Sequence, residues 1–187
     1  LAEFTLSRKD PEYVGRAKAV QAEENARRTG AGDAALLAKV NAVPGCEQLN
    51  WNDIQIASTI FAVKPGDGSA REQAASCQRV LGGAANFACE YATKRYRSNC
   101  INWGMLPFHI DADVKFDFEP GDRIFVPNVS AAVRSGSRCI PAMVIRRSAA
   151  KVPLLLRLPE LTADERQILL DGCLMNYYAA NHAKENV

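Results

Sequence analysis

The sequence predicts an α/β fold. Three observations carry it. A β-rich run from Asp53 to Val63 feeds straight into a glycine turn, Gly66 Asp67 Gly68; a helical pattern from Ser69 to Leu81 closes on Gly82 Gly83; and Ala84 to Tyr91 returns as a second short apolar run. Continuously apolar strands separated by a turn and a helix are the pattern of strands covered on both faces, with the ligand edge at the turn.

Upstream, Asp10 Pro11 Glu12 reads as a helix start, with Asp10 as cap and Pro11 at the first helical position, and the pattern runs to Arg28 before Gly30. Its apolar stripe is thin, so this helix is expected on the surface or bridging toward another domain. Asp33 starts a second short helix through Val40, and Pro44 Gly45 breaks the chain. Downstream, Thr93 to Asn102 is expected as a short basic helix ended by Gly104, and Pro107 confines Met105 to Phe108 to an edge strand or extended loop. Phe116 and Phe118 alternate with charges, Glu119 Pro120 Gly121 Asp122 is a turn, and Arg123 to Val126 is the returning strand. Ile140 to Arg146 is a further strand, antiparallel to its neighbours. Leu161 Thr162 Ala163 Asp164 Glu165 combines an apolar staple, a Thr cap and a reciprocating Glu, and opens a helix to about Ala180 with Ile168, Leu169, Cys173 and Tyr177 inward. No internal repeat or low-complexity segment is present.

Composition narrows the function. The chain has 187 residues, 48% apolar and 24% charged, enough for one good core. A net charge of +2, with acids and bases interleaved, gives no basic field that implies nucleic acid. No apolar stretch approaches the roughly 18 residues needed to cross a bilayer, so a soluble protein without a membrane partner is expected. The six cysteines form no Cys-X-X-Cys pair and have only His109 and His182 to assist them, so this chain is expected to bind no metal, and its thiols to be reduced in a cytoplasmic setting.

The turn holds the chemistry. Gly66 and Gly68 allow positive φ and close approach of backbone to a ligand, and the amides of the first helical turn point outward at an anion. Ser69 adds a proton-transfer group and Arg71 a bidentate carboxylate clamp. The plainer alternative is an ordinary helix start with Ser69 at the N-cap. The turn is a poor dinucleotide fingerprint, because Arg71 stands where the third glycine belongs, and it is no phosphate-binding Walker loop, because the Gly-Lys-Ser/Thr ending is missing.

Two motifs in order, Gly66-X-Gly68-Ser69-Ala70-Arg71-Glu72-Gln73-Ala74-Ala75 with Leu81 Gly82 Gly83, then Arg97-X-Asn99 with Gly104 Met105 Leu106 Pro107, resemble the swivel domain of the aconitase family. The likeness is strongest over residues 53 to 127. It implies a swivelling three-layer β/β/α domain; the chain is expected to divide into 46–187, that domain with a C-terminal helical extension, and 1–45, an N-terminal helical segment or insertion of the swivel region, although the helices at 10–40 and at the C-terminus are not identified by the likeness. It also implies a hydro-lyase of hydroxy di- or tricarboxylic acids in which Ser69 is the base and Arg71, with Gly68 and Ala70 beside it, binds the carboxylate substrate.

The same resemblance implies a [4Fe-4S] cluster held by another domain, so the partners are cluster-bearing aconitase domains, in the same polypeptide or as a large subunit. The isolated piece is then inactive. Ala70 replaces the family's second Ser and Gln73 its His, which removes a hydroxyl donor and a titrating group from the signature. The chain begins at Leu1 without Met and lacks the family's Thr-Asp-His-Ile segment, as expected of a piece starting partway through the swivel region. Alternatives are a separate small isomerase subunit, and a non-catalytic regulatory or nucleic-acid-binding relative supported by the basic run Lys94 Arg95 Tyr96 Arg97.

Overall fold

The computed structural model describes residues 1–114, 117–148 and 150–185. In chain order the elements are α1 (Ala2–Ser7), α2 (Tyr13–Arg28), α3 (Ala34–Asn41), β1 (Ser58–Ala62), α4 (Arg71–Val80), β2 (Gly83–Ala88), α5 (Lys94–Asn102), β3 (Leu106–His109), β4 (Arg123–Phe125), α6 (Val129–Ser135), β5 (Cys139–Ile145), β6 (Lys151–Arg157), α7 (Ala163–Asp171) and α8 (Leu174–Glu185). The α/β class expected from the sequence is the one observed. One six-stranded sheet runs β1-β2-β3-β6-β5-β4. Its first three strands are parallel and its last three antiparallel.

The two halves meet at a single register pair, His109 with Arg157. Beside it the Arg157 guanidinium grips Asp111 through Nε at 2.8 Å and Nη2 at 2.9 Å. This seam explains Pro107, which is buried in a mid-sheet strand rather than on the expected edge. Along Leu106 to Phe108 β3 pairs only with β2, so a residue without an N–H loses no bond on the β6 side. The core runs across the seam, with Phe87, Ile101 and Phe108 from one half and Ile140, Val144, Leu154 and Leu156 from the other. Phe87 and Phe108 stack with ring centroids 5.4 Å apart.

Several boundaries moved for identifiable reasons. β1 begins at Ser58, not Asp53, because the Ile56 N–H donates to the Glu24 carboxylate at 2.9 Å instead of to a strand. α2 begins at Tyr13, with Asp10 accepting from the Glu12 N–H just outside it. Asp33 caps α3 as expected, and the Thr162–Glu165 capping box opens α7. The single helix expected to Ala180 is two, since Gly172 takes the left-handed conformation that ends α7. The hairpin expected around residues 119–122 is not formed: Phe116 lies outside the described residues, 117 and 118 are not in a strand, and β4 pairs with β5. β6, α6 and α1 were not anticipated.

Glu24 is the buried charge of α2, 8% exposed, and its carboxylate accepts from Arg27, Arg28 and the Ile56 N–H. Burial alone would raise its pKa, but these hydrogen bonds outweigh burial and bring it down from 4.5 to about 2. A carboxylate whose folded pKa is depressed stabilises the fold above its unfolded pKa and loses that contribution as pH falls toward the folded value. About 2 kcal/mol is therefore expected to disappear between pH 7 and pH 3. Urea titrations at the two pH values are expected to show this fall in the wild type and a flatter dependence in Glu24→Gln.

Candidate functional site

The C-terminal ends of the three parallel strands form one edge of the sheet, and the turn after β1 lies on it. Backbone bonds lace this turn to the loop after β2: the Glu90 N–H donates to Val63 O at 3.0 Å and the Ala92 N–H to Pro65 O at 2.9 Å. Gly66 is the fixed point. Its φ is +97°, and a Cβ there would fall 2.5 Å from Cβ of Tyr96, so only glycine lets the turn sit on the first turn of α5. Its carbonyl accepts from Thr93 Oγ1 and from Arg71 Nε, both at 3.1 Å. Thr93 also caps α5 by accepting from the Tyr96 N–H. Gly68 does not use the left-handed region, and an added Cβ there would meet nothing within 4 Å.

Beneath the turn, Tyr96 and Cys100 are buried with Ala75 and Met105. Asn86 of β2 donates through Nδ2 to the Tyr96 hydroxyl at 3.1 Å and to Cys100 Sγ at 3.5 Å. Burial pushes the Cys100 thiol up to about 11 and the Tyr96 and Tyr91 hydroxyls higher still, so all three are neutral supports at physiological pH. His109, at the end of β3, is lowered by burial and by Arg97, although its bond to the Cys89 backbone opposes this.

Ser69 is exposed, and it does not cap α4. The N-cap is Ala70, with no side-chain bond to the first turn. That removes the plain helix-cap reading of Ser69: its hydroxyl is committed to nothing among the described residues. Ala70 is exposed beside it, and Arg71 opens α4 with Nε on Gly66 O and both Nη nitrogens without an acceptor among the described residues. Ser69, Ala70 and Arg71 are thus adjacent on one open surface. Gly68 belongs to the same turn.

The first turn of α4 is served instead from α5. In the amide orientation that satisfies both neighbours, Asn99 Oδ1 accepts from the Glu72 N–H at 2.9 Å and Nδ2 donates to Arg95 O at 3.3 Å. Trp103 Nε1 donates to Glu72 Oε1. Sequence reasoning singled out Asn99 as a motif residue without finding this task, because the pairing joins two helices. The basic run is divided: Lys94 and Arg95 are exposed, Tyr96 is buried, and Arg97 turns toward Glu165, 3.7 Å away.

Among the described residues no group of three His, Cys, Asp or Glu is placed to hold a metal ion, and the six cysteines are all free. No helix among them is long and apolar enough to cross a membrane. A groove of about 220 Å³ lies between α3, the start of β4 and the end of β5, lined by Asp33, Lys39, Arg123, Arg146 and Arg147, and includes no residue of the glycine turn. Its arginines are engaged: Arg123 with Glu23, Arg146 with Asp117 and Asp122, Arg147 with the Pro120 carbonyl.

Residues 38–113 match the family model of the aconitase C-terminal domain, a segment that takes in β1, the turn, α4, β2, α5 and β3. No curated protein sequence matches the chain. Among solved structures, a 3-isopropylmalate dehydratase from Methanocaldococcus jannaschii is similar at 24% identity over 68% of this chain and 66% of that chain, with a TM-score of 0.45. The matched segment carries the glycine turn and both helices that fix it, and takes in less than half of the chain.

Proposed function

We propose that this chain supplies the base and one carboxylate-binding group of an aconitase-like hydro-lyase acting on a hydroxy di- or tricarboxylic acid. The observation that carries the reading is the uncommitted Ser69 hydroxyl, set between a pinned Gly66 and the start of α4, with Arg71 beside it. As an alkoxide, Ser69 Oγ takes the proton from the carbon next to a substrate carboxylate. The electron pair left behind forms the double bond as hydroxide departs from the neighbouring carbon. Such an alkoxide needs cationic and N–H neighbours, and the α4 amides with the Arg71 guanidinium are of that kind. Arg71, anchored at Nε, offers its two Nη nitrogens to a carboxylate, and Gly68 and Ala70 flank the ligand without crowding it.

The turn is open on its outer side, which fits a site completed by another protein surface. Among the described residues no group is placed to hold the family's iron–sulfur cluster, so in this reading it lies with a partner domain or subunit, and the chain alone is inactive. A cytoplasmic setting suits its free thiols. The test is reconstitution with cluster-bearing aconitase domains and assay against a panel of hydroxy di- and tricarboxylates, followed by the ultraviolet absorbance of the new double bond. Arg71→Lys is expected to raise KM for the accepted acid about 10-fold with a smaller effect on kcat, because a bidentate contact becomes a point charge. Absence of dehydration with every acid overturns the reading.

A further inference from the structure

We propose that Trp103 is a positioning residue that keeps the Glu72 carboxylate away from the anion-binding start of α4, and thereby sets the affinity of the turn for carboxylates. The inference rests on the hydro-lyase reading and adds a control on the same site. Glu72 stands at the second position of α4. An acidic side chain there is drawn to the first-turn N–H groups, and Arg71 lies next to it. Those are the groups a substrate carboxylate would use. Left to itself, Glu72 would occupy the site as an internal competitor.

The structure shows Glu72 held on the other side. Its carboxylate accepts from the Trp103 indole and its backbone N–H donates to Asn99, so one residue of α4 is gripped twice by residues a turn apart on α5. Trp103 is itself immobilised. Its backbone N–H donates to Asn99 O and Cys100 O, both at 3.2 Å, and its ring packs against the Ala75, Tyr96, Cys100 and Met105 cluster. With Glu72 drawn aside, the N–H groups of Arg71 and Gln73 and the Nη nitrogens of Arg71 have no acceptor among the described residues. The indole is the sole donor that reaches the Glu72 carboxylate among them, so its removal frees a negative charge beside the site.

The test uses citrate as the probe, titrated into the 187-residue chain and followed by the amide shifts of residues 69–73. Trp103→Phe is expected to weaken citrate binding about 3-fold, the effect of one competing charge at a helix start, and more at low salt. Adding Glu72→Gln to Trp103→Phe is expected to restore the wild-type Kd. A merely structural role for the indole would give no such recovery. Glu72→Asp, whose shorter arm leaves the indole, repeats the test without touching the core and is expected to weaken binding by a similar factor. Wild-type affinity in both Trp103→Phe and Glu72→Asp, or a loss that Glu72→Gln does not recover, overturns the inference alone. A wild-type chain with no saturable shift overturns the inference, while the hydro-lyase reading is decided by the reconstituted dehydration assay.

Discussion

Ser69→Ala in the reconstituted hydro-lyase is expected to lower kcat by about 10²- to 10⁴-fold, the usual worth of a positioned base, with little change in KM. The substitution removes one exposed hydroxyl that does not cap α4 and bonds to no side chain among the described residues, so an unchanged fold is expected. Thermal melting that matches the wild type, together with collapsed turnover in the double-bond assay, is the expected pair of results. Turnover within a few-fold of wild type would remove Ser69 from the reaction. Arg71→Lys serves as the contrast, because its loss is expected in KM.

The second large effect is on stability. Gly104 follows α5 at φ +68°, and a Cβ there would lie 1.8 Å from the carbonyl oxygen of Gly172, at the end of α7. Both elements meet backbone to backbone, so neither can yield by turning a side chain. Gly104→Ala combines a left-handed residue with a forced separation of two helix ends, and a loss of at least about 3 kcal/mol is expected. Gly68→Ala is the control, since an added Cβ there meets nothing within 4 Å and its φ is not positive; about 0.5 kcal/mol or less is expected. Urea midpoints of the two variants check both values. An equal, small shift for both would refute the close approach of the two helix ends.

The elements that could be read from the sequence are those whose signals are local. The Thr162–Glu165 capping box, the Asp33 cap, the turn at Gly66 and the stop after Leu81 each declare themselves within a few residues. What stayed hidden depends on distant partners. β6 carries its buried residues at Leu154 and Leu156, but Pro153 and the exposed Leu155 between and beside them blur the alternation. Pro107 argued for an edge because its sequence cannot report that the neighbouring strand touches β3 at one pair only.

Glu24 looked like one more polar residue on a thinly apolar helix, and its burial depends on the Ile56 N–H, 32 residues away. In the site, the types and order of Ser69, Ala70 and Arg71 were plain, while the identity of the N-cap and the grip of α5 on Glu72 were not. The sequence placed Ser69 as a possible cap; the chain extends one residue further before turning helical.

The seam between the halves of the sheet has a mechanical meaning for the turn. Backbone pairing between β3 and β6 amounts to one register pair with one half-exposed ion pair beside it, whereas β1–β2 and β2–β3 are full ladders, so the two halves are joined chiefly by the apolar core that crosses the seam. The sparsest line of backbone pairing in the sheet therefore passes outside the three strands that seat the glycine turn.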